Sequence, residues 1–178
     1  VTSIGDYAFS YCTSLMNVYY EGTIEDWCNI KFSGEKANPM YYAKHFYMLN
    51  SNNEYGEVKS IEIPDTVTII GYYQFYRFNN VTSIIIPSSV TTIGDSAFSG
   101  CTSLTSITIP NSVTTIGEFA FSNCTSLTSI TISSSIEIIG NGTFNYCTSL
   151  QNVYYEGTIE DWCNIKFYSI HVGYVSIP

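Results

Sequence analysis

Residues 93–115, IGDSAFSGCTSLTSITIPNSVTT, decide the fold, because the next 23 residues nearly repeat them as IGEFAFSNCTSLTSITISSSIEI. A period of this length marks one supersecondary unit stacked on copies of itself, so the chain is expected to coil as a solenoid. Apolar residues recur at that interval along the chain: Val58, Val81, Leu104, Leu127 and Leu150, then Ile61, Ile84, Ile107, Ile130 and Val153 three positions on. Ile63, Ile86, Ile109 and Ile132 follow two positions later. Leu-x-x-Ile-x-Ile is a short strand with its apolar side chains on one face, since side chains alternate along a strand. β-Branched content favours strand over helix, and Pro64, Pro87 and Pro110 close three of these strands.

The return path is equally regular. Ile70, Ile93, Ile116 and Ile139 are each followed by a glycine, Gly71, Gly94, Gly117 and Gly140. A glycine at every such corner suggests a backbone conformation costly for other residues. Phe75, Phe98, Phe121 and Phe144 are expected to stack along the core, and residues 95–99 and their equivalents to form single helical turns. Six strand rows are expected between Leu15 and Leu150, parallel and right-handed, in one domain over residues 1–178.

Residues 17–32, NVYYEGTIEDWCNIKF, recur without change at 152–167. Thr23 followed by Asp26 reads as a capping box with Asp in the usual Glu or Gln place, and Trp27, Cys28 and Ile30 would form the buried face of the short helix it opens. Repeat coils are therefore assigned to 1–20 and 57–155, helical modules to 21–32 and 156–167, and an insertion to 33–56. In that insertion residues 44–49 are expected to pair with 57–63 as a hairpin. The segment 168–178 is too short to complete a coil, and because Val1 falls inside a repeat the chain reads as part of a longer protein.

Apolar residues make up 45% of the chain and charged residues only 12%, with a net charge of −9. The six basic residues (Lys31, Lys36, Lys44, Lys59, Arg77, Lys166) are dispersed. Nucleic acid and anionic membrane surfaces both call for a basic stripe, so neither is an expected partner. No apolar run is long enough to span a bilayer. Cys12, Cys101, Cys124 and Cys147 share one repeat position that another copy fills with Phe78, so they are read as interior free thiols. Cys28 and Cys163 form a second equivalent pair. His45 and His171 stand in unrelated contexts, the cysteines lack zinc-type spacing, and Glu25–Asp26 and Glu160–Asp161 are helix starts. No catalytic, cofactor or metal site is expected.

The motif IGDSAFSGCTSLTSITIP at 93–110, its copies and the interspersed VYYEGTIEDW module resemble the BspA-like leucine-rich repeats, a group related to the Treponema-type repeats. The resemblance covers about residues 1–32 and 57–167, and the insertion more loosely. It implies a leucine-rich-repeat-like solenoid, and a bacterial or protozoan surface or secreted protein engaged in adhesion to host proteins or in cell–cell contact. It carries no catalytic residues.

The outward strand positions are the one surface that looks designed. Asn17 and Tyr19 stand at one end, Thr105, Ser106, Thr108, Thr128, Ser129 and Thr131 in the middle, and Gln151, Asn152 and Tyr154 at the other. Solenoids commonly bind along such a face, and tyrosine offers contact area with a polar tip. The expected function is a non-catalytic module, monomeric, that holds a host protein or glycan. The alternative is a spacer that presents another domain. Tyr154 could instead pack on the adjoining helix at 158–165.

Overall fold

The structure, a computed structural model, describes residues 1–168. Its strands stack in parallel at the repeat interval. Ser106–Thr108 pairs with Ser129–Ile132, which pairs in turn with Asn152–Tyr155, so that Ile107, Ile130 and Val153 lie side by side. Ser60–Glu62 pairs with Ser83–Ile85 in the same register. A second side of the coil is a five-stranded parallel sheet of Ile69–Ile70, Thr92–Ile93, Thr115–Ile116, Ile138–Gly140 and Lys166–Tyr168. Turns form the third side. Between them lies one continuous core in which Leu104, Leu127, Ile109, Ile132, Val113 and Ile116 are fully buried.

Phe75, Phe98, Phe121 and Phe144 stack as the spacing requires, with centroid separations of 5.5, 5.2 and 5.8 Å and nearly parallel planes. Beside them runs a thiol ladder. The Sγ of Cys101, Cys124 and Cys147 donates to the carbonyl of Phe75, Phe98 and Phe121, at 3.3, 3.3 and 3.1 Å. All six cysteines are free. Cys12, read as interior, is exposed: among the described residues no coil packs over its side of the array as one does over Cys101 and Cys124. Cys163 is also exposed, whereas its duplicate Cys28 is half-buried.

The corner glycines have a different reason from the one expected. Positive φ occurs at Gly100 and Gly142 but not at Gly71, Gly94, Gly117 or Gly140. What these corners require is room. A Cβ on Gly117 would stand 2.6 Å from the Asp95 nitrogen and 2.7 Å from the Gly94 carbonyl carbon, and one on Gly140 would stand 2.6 Å from the Gly117 carbonyl carbon. The left-handed residues come instead two and six positions after each corner. The first column is Tyr7, Tyr73, Ser96, Phe119 and Gly142, and the second is Tyr11, Arg77, Gly100, Asn123 and Tyr146.

The largest departure from expectation lies in residues 33–58. His45–Leu49 pairs in parallel with Asn17–Tyr20, so part of the segment read as an insertion supplies a strand row. Its hairpin return is Tyr55–Glu57 rather than 57–63. The chain then enters Ser60–Glu62, which belongs to the next sheet. The 17–20 and 60–62 strands therefore lie in different hydrogen-bonded sheets, and the row between them makes the six-row expectation one short. The 23-residue rule could not find this row, because Val18 faces Phe46 at an offset of 28.

The two identical modules fold alike and are buried unlike. Helix α1 (Ile24–Cys28) and helix α2 (Ile159–Asn164) both carry the full capping box, with Thr23 N and Thr158 N donating to Asp26 and Asp161 at 2.8 and 2.9 Å. Both then return the chain to the second side of the coil, through Lys31–Phe32 and Lys166–Tyr168. Trp27 is 2% exposed. It touches Tyr20 and Phe32 within its module, Phe46 and Phe78 outside it, and donates from Nε1 to the Gln74 carbonyl at 2.8 Å. Trp162 keeps the internal partners, Tyr155 and Phe167, and none equivalent to the external ones among the described residues. Val153 is accordingly 51% exposed, although its register with Ile130 turns it toward the core side as expected.

Two measurements check this packing. Gly117→Ala is expected to lower stability by about 1–3 kcal/mol, the cost of overpacking. Gly5→Ala, at a corner with nothing within 4 Å, should stay within about 0.5 kcal/mol of wild type; equal melting of the two variants would contradict the close stacking. Burial pushes the Cys101 thiol up to about 12. In native protein at pH 8, Cys12 and Cys163 should alkylate first, and Cys101 and Cys124 only on unfolding, as peptide mass spectrometry would read directly.

Candidate functional site

Alternation puts the expected residues on one outer face. Asn17, Tyr19, Thr105, Ser106, Thr108, Thr128, Gln151, Asn152 and Tyr154 are exposed, and Ser129 and Thr131 are half-buried. The central Thr rows spend part of their polarity on the fold itself: Thr128 Oγ1 donates to the Thr105 carbonyl at 3.1 Å, as Thr82 Oγ1 does to that of Lys59 at 3.2 Å. Tyr154 is 57% exposed and sits beside Thr131. It is Tyr155, not Tyr154, that packs on the helix, with its ring 5.0 Å from that of Trp162.

Tyr19 and Tyr154 occupy equivalent places in identical sequences but are not brought together. Tyr19 lies against Tyr47 of the neighbouring row, stacked at 4.9 Å with 17° between the planes. Tyr55, from the hairpin return, meets Tyr19 edge-on at 5.0 Å, and its hydroxyl donates to Glu21 at 3.0 Å. The three rings form a rack on a strand scaffold, with Tyr19 and Tyr55 largely exposed. Asn17 Nδ2 reaches the Tyr19 hydroxyl at 3.5 Å.

A polar network borders the rack. Glu57 Oε1 lies 2.6 Å from His45 Nδ1 and accepts from Asn80 Nδ2 at 2.8 Å, while Oε2 pairs with Lys59 Nζ at 2.7 Å. Asn80 also donates to the Lys44 carbonyl at 3.0 Å. Hydrogen bonds from Lys59, then His45 and Asn80, hold the Glu57 carboxyl at about 2, far below the usual carboxylate range. Sequence reading missed Tyr47, Tyr55 and this network. The only available signal was the alternation of Phe46 and Met48 in HFYML, which showed a strand but not its neighbour. Among the described residues no group of three or more His, Cys, Asp or Glu could hold a metal ion, and no helix is long and apolar enough to cross a membrane.

Because the folded Glu57 carboxyl titrates below its unfolded value of about 4.3, its contribution to stability is present above that pH and is lost as pH falls through about 2. Hydrogen bonds from the backbone and hydroxyl of Thr23 and Thr158 lower Asp26 and Asp161 in the same direction. Acid unfolding followed by circular dichroism should therefore steepen below about pH 4. Glu57→Gln should flatten that slope while leaving the share due to the caps. A variant as acid-sensitive as wild type would show that Glu57 is not held this way.

Comparison with known proteins matches these features. The family model for the BspA type leucine rich repeat region matches residues 1–52 and 50–173, in six copies. A search of curated protein sequences finds no match. Among solved structures, a leucine rich cell surface protein from Faecalibacterium prausnitzii A2-165 superposes with a TM-score of 0.60 at 24% identity, over 98% of this chain and 55% of its own. A leucine-rich repeat protein from Eubacterium ventriosum gives 0.60 at 24%, over 96% and 52%, and one from Treponema pallidum gives 0.58 at 22%, over 100% and 72%. The chain thus spans about half the length of the first two. With coils, register and repeat sequence in agreement, the chain belongs to the BspA-type leucine-rich repeat family.

Proposed function

We propose that this chain is a non-catalytic recognition module of a cell-surface or secreted protein, which holds a host protein or glycan on the outer face of its strand rows. The observation that carries this reading is the Tyr19–Tyr47–Tyr55 rack. Aromatic rings fixed by each other on a rigid scaffold lose little entropy on contact and act as energetic anchors. The contact centre is the Tyr19 end of the face. The Ser/Thr rows extend it toward Gln151, Asn152 and the isolated Tyr154, which serve as a secondary contact. The description of the Faecalibacterium relative as a cell surface protein supports the location.

A matrix-protein and glycan binding screen of the full chain tests the reading. For any ligand found, Tyr47→Ser should weaken affinity by about tenfold or more, the scale of an interface anchor, with a smaller loss for Tyr154→Ser. Melting should change little, since Tyr47 is only partly buried. Binding indifferent to Tyr19 and Tyr47 would overturn the site, and a screen with no ligand would leave the module a spacer.

A further inference from the structure

We propose a second binding site, on the turn side of the coils, for a sugar residue that carries a carboxylate or sulfate. It does not rest on the strand-face reading. Arg77 is the only arginine of an acidic chain. Among the described residues it forms no ion pair, and neither does Lys36. Aromatic rings hold both instead. The Arg77 guanidinium lies 4.9 Å from the Tyr41 ring centroid and 5.6 Å from that of Tyr76, and Lys36 Nζ lies 5.7 Å from Tyr41 and 5.7 Å from Tyr7. Arg77 Nη1 donates to the Tyr41 carbonyl at 2.9 Å, which fixes the plane of the fork. The nearby Glu35 carboxylate accepts from the Tyr76 hydroxyl at 3.2 Å rather than from Arg77. An exposed guanidinium oriented in this way, with no carboxylate partner, presents donors suited to bidentate capture of an anion.

The surface beside Arg77 is concave for a reason visible in the repeat. Arg77, Gly100 and Asn123 fill the same left-handed position in three successive coils. The glycine in the middle lets the Arg77 stem lie across its coil, where a Cβ would stand 2.8 Å from Arg77 Cγ, and raises no side chain of its own between Arg77 and Asn123. The resulting groove, about 290 Å³, is lined by Asn79, Ser99, Thr102 and Thr125 as well as Arg77 and Asn123. Its size is at the lower end of the range for ligand sites, room for one small residue rather than a peptide. Amide and hydroxyl groups pair with ring hydroxyls, and the guanidinium pairs with the acidic substituent. Of these side chains, Thr102 Oγ1 makes only a long bond to the Asn79 carbonyl at 3.4 Å, and Asn123 Nδ2 donates to Ser122 Oγ at 3.1 Å.

The test is a titration of the full ¹⁵N-labelled chain with methyl glucuronide, glucose 6-sulfate and, as the neutral control, methyl glucoside. Amide shifts at Arg77, Gly100 and Asn123 are expected with one or both acidic sugars and not with the neutral one, and should weaken as salt is raised. Which acidic sugar responds distinguishes carboxylate from sulfate. Arg77→Gln should lower affinity by about tenfold, the value of a charge-assisted pair. Arg77 also ties two coils together, so Asn123→Ala, which leaves that tie intact, provides a second reading with an expected loss of about threefold. Tyr19→Ser should leave the titration unchanged. Failure of both acidic sugars to bind, equal binding of the neutral glucoside, or wild-type affinity in both groove variants would each overturn the proposal.

Discussion

Everything in this chain depends on how closely one coil can approach the next at the glycine corners. The backbones of successive turns meet there at a separation that leaves no space for a methyl group at Gly117 or Gly140. That approach sets the pitch, and the pitch sets the rest. Strand rows come within ladder distance, the phenylalanine rings come within stacking distance, and the thiols of Cys101, Cys124 and Cys147 reach the carbonyl of the preceding coil. A widening at the corners would weaken all three together, since each depends on the same rise per coil.

Burial in such an array belongs to neighbours more than to sequence. Sixteen identical residues give a tryptophan sealed by Phe46, Phe78 and Gln74 in one copy and a half-buried tryptophan in the other. The helix, its cap and the return strand form in both copies, because the capping box and the Trp–Tyr and Trp–Phe contacts lie inside the module. Local chemistry therefore specifies the shape of the unit, and stacking determines how much of its apolar face is taken from water.

The same division explains what could be read from the sequence. Periodicity exposed the strand rows, the phenylalanine stack and the outward positions, since each is a statement about one residue and its equivalent 23 places away. It also exposed the capped helix, which is local. It could not expose the row at His45–Leu49, whose partner lies 28 residues away, and with that row Tyr47 and Tyr55 were lost from the candidate site. The corner glycines were found for the wrong reason: a sequence shows that a small residue recurs, but not whether a torsion angle or a neighbouring backbone demands it. Lys36 and Arg77, dispersed in sequence, meet across the Tyr41 ring because coil stacking joins segments about forty residues apart.

The left-handed column has a consequence for how such a protein can vary. Tyr11, Arg77, Gly100, Asn123 and Tyr146 hold one torsional state with four kinds of residue. The conformational penalty at these sites is of order 1–2 kcal/mol for a non-glycine residue and comes from the residue's own backbone. Exchange among the non-glycine identities therefore leaves that penalty in place and acts through the contacts each side chain makes, such as the Arg77 bond to the Tyr41 carbonyl. A glycine there lets a neighbouring stem cross its coil, and an arginine raises a charged ridge. The column acts as a display strip, one position per coil, on which the outer relief of the array diversifies within the limits its neighbouring letters set, as Gly100 does for the Arg77 stem.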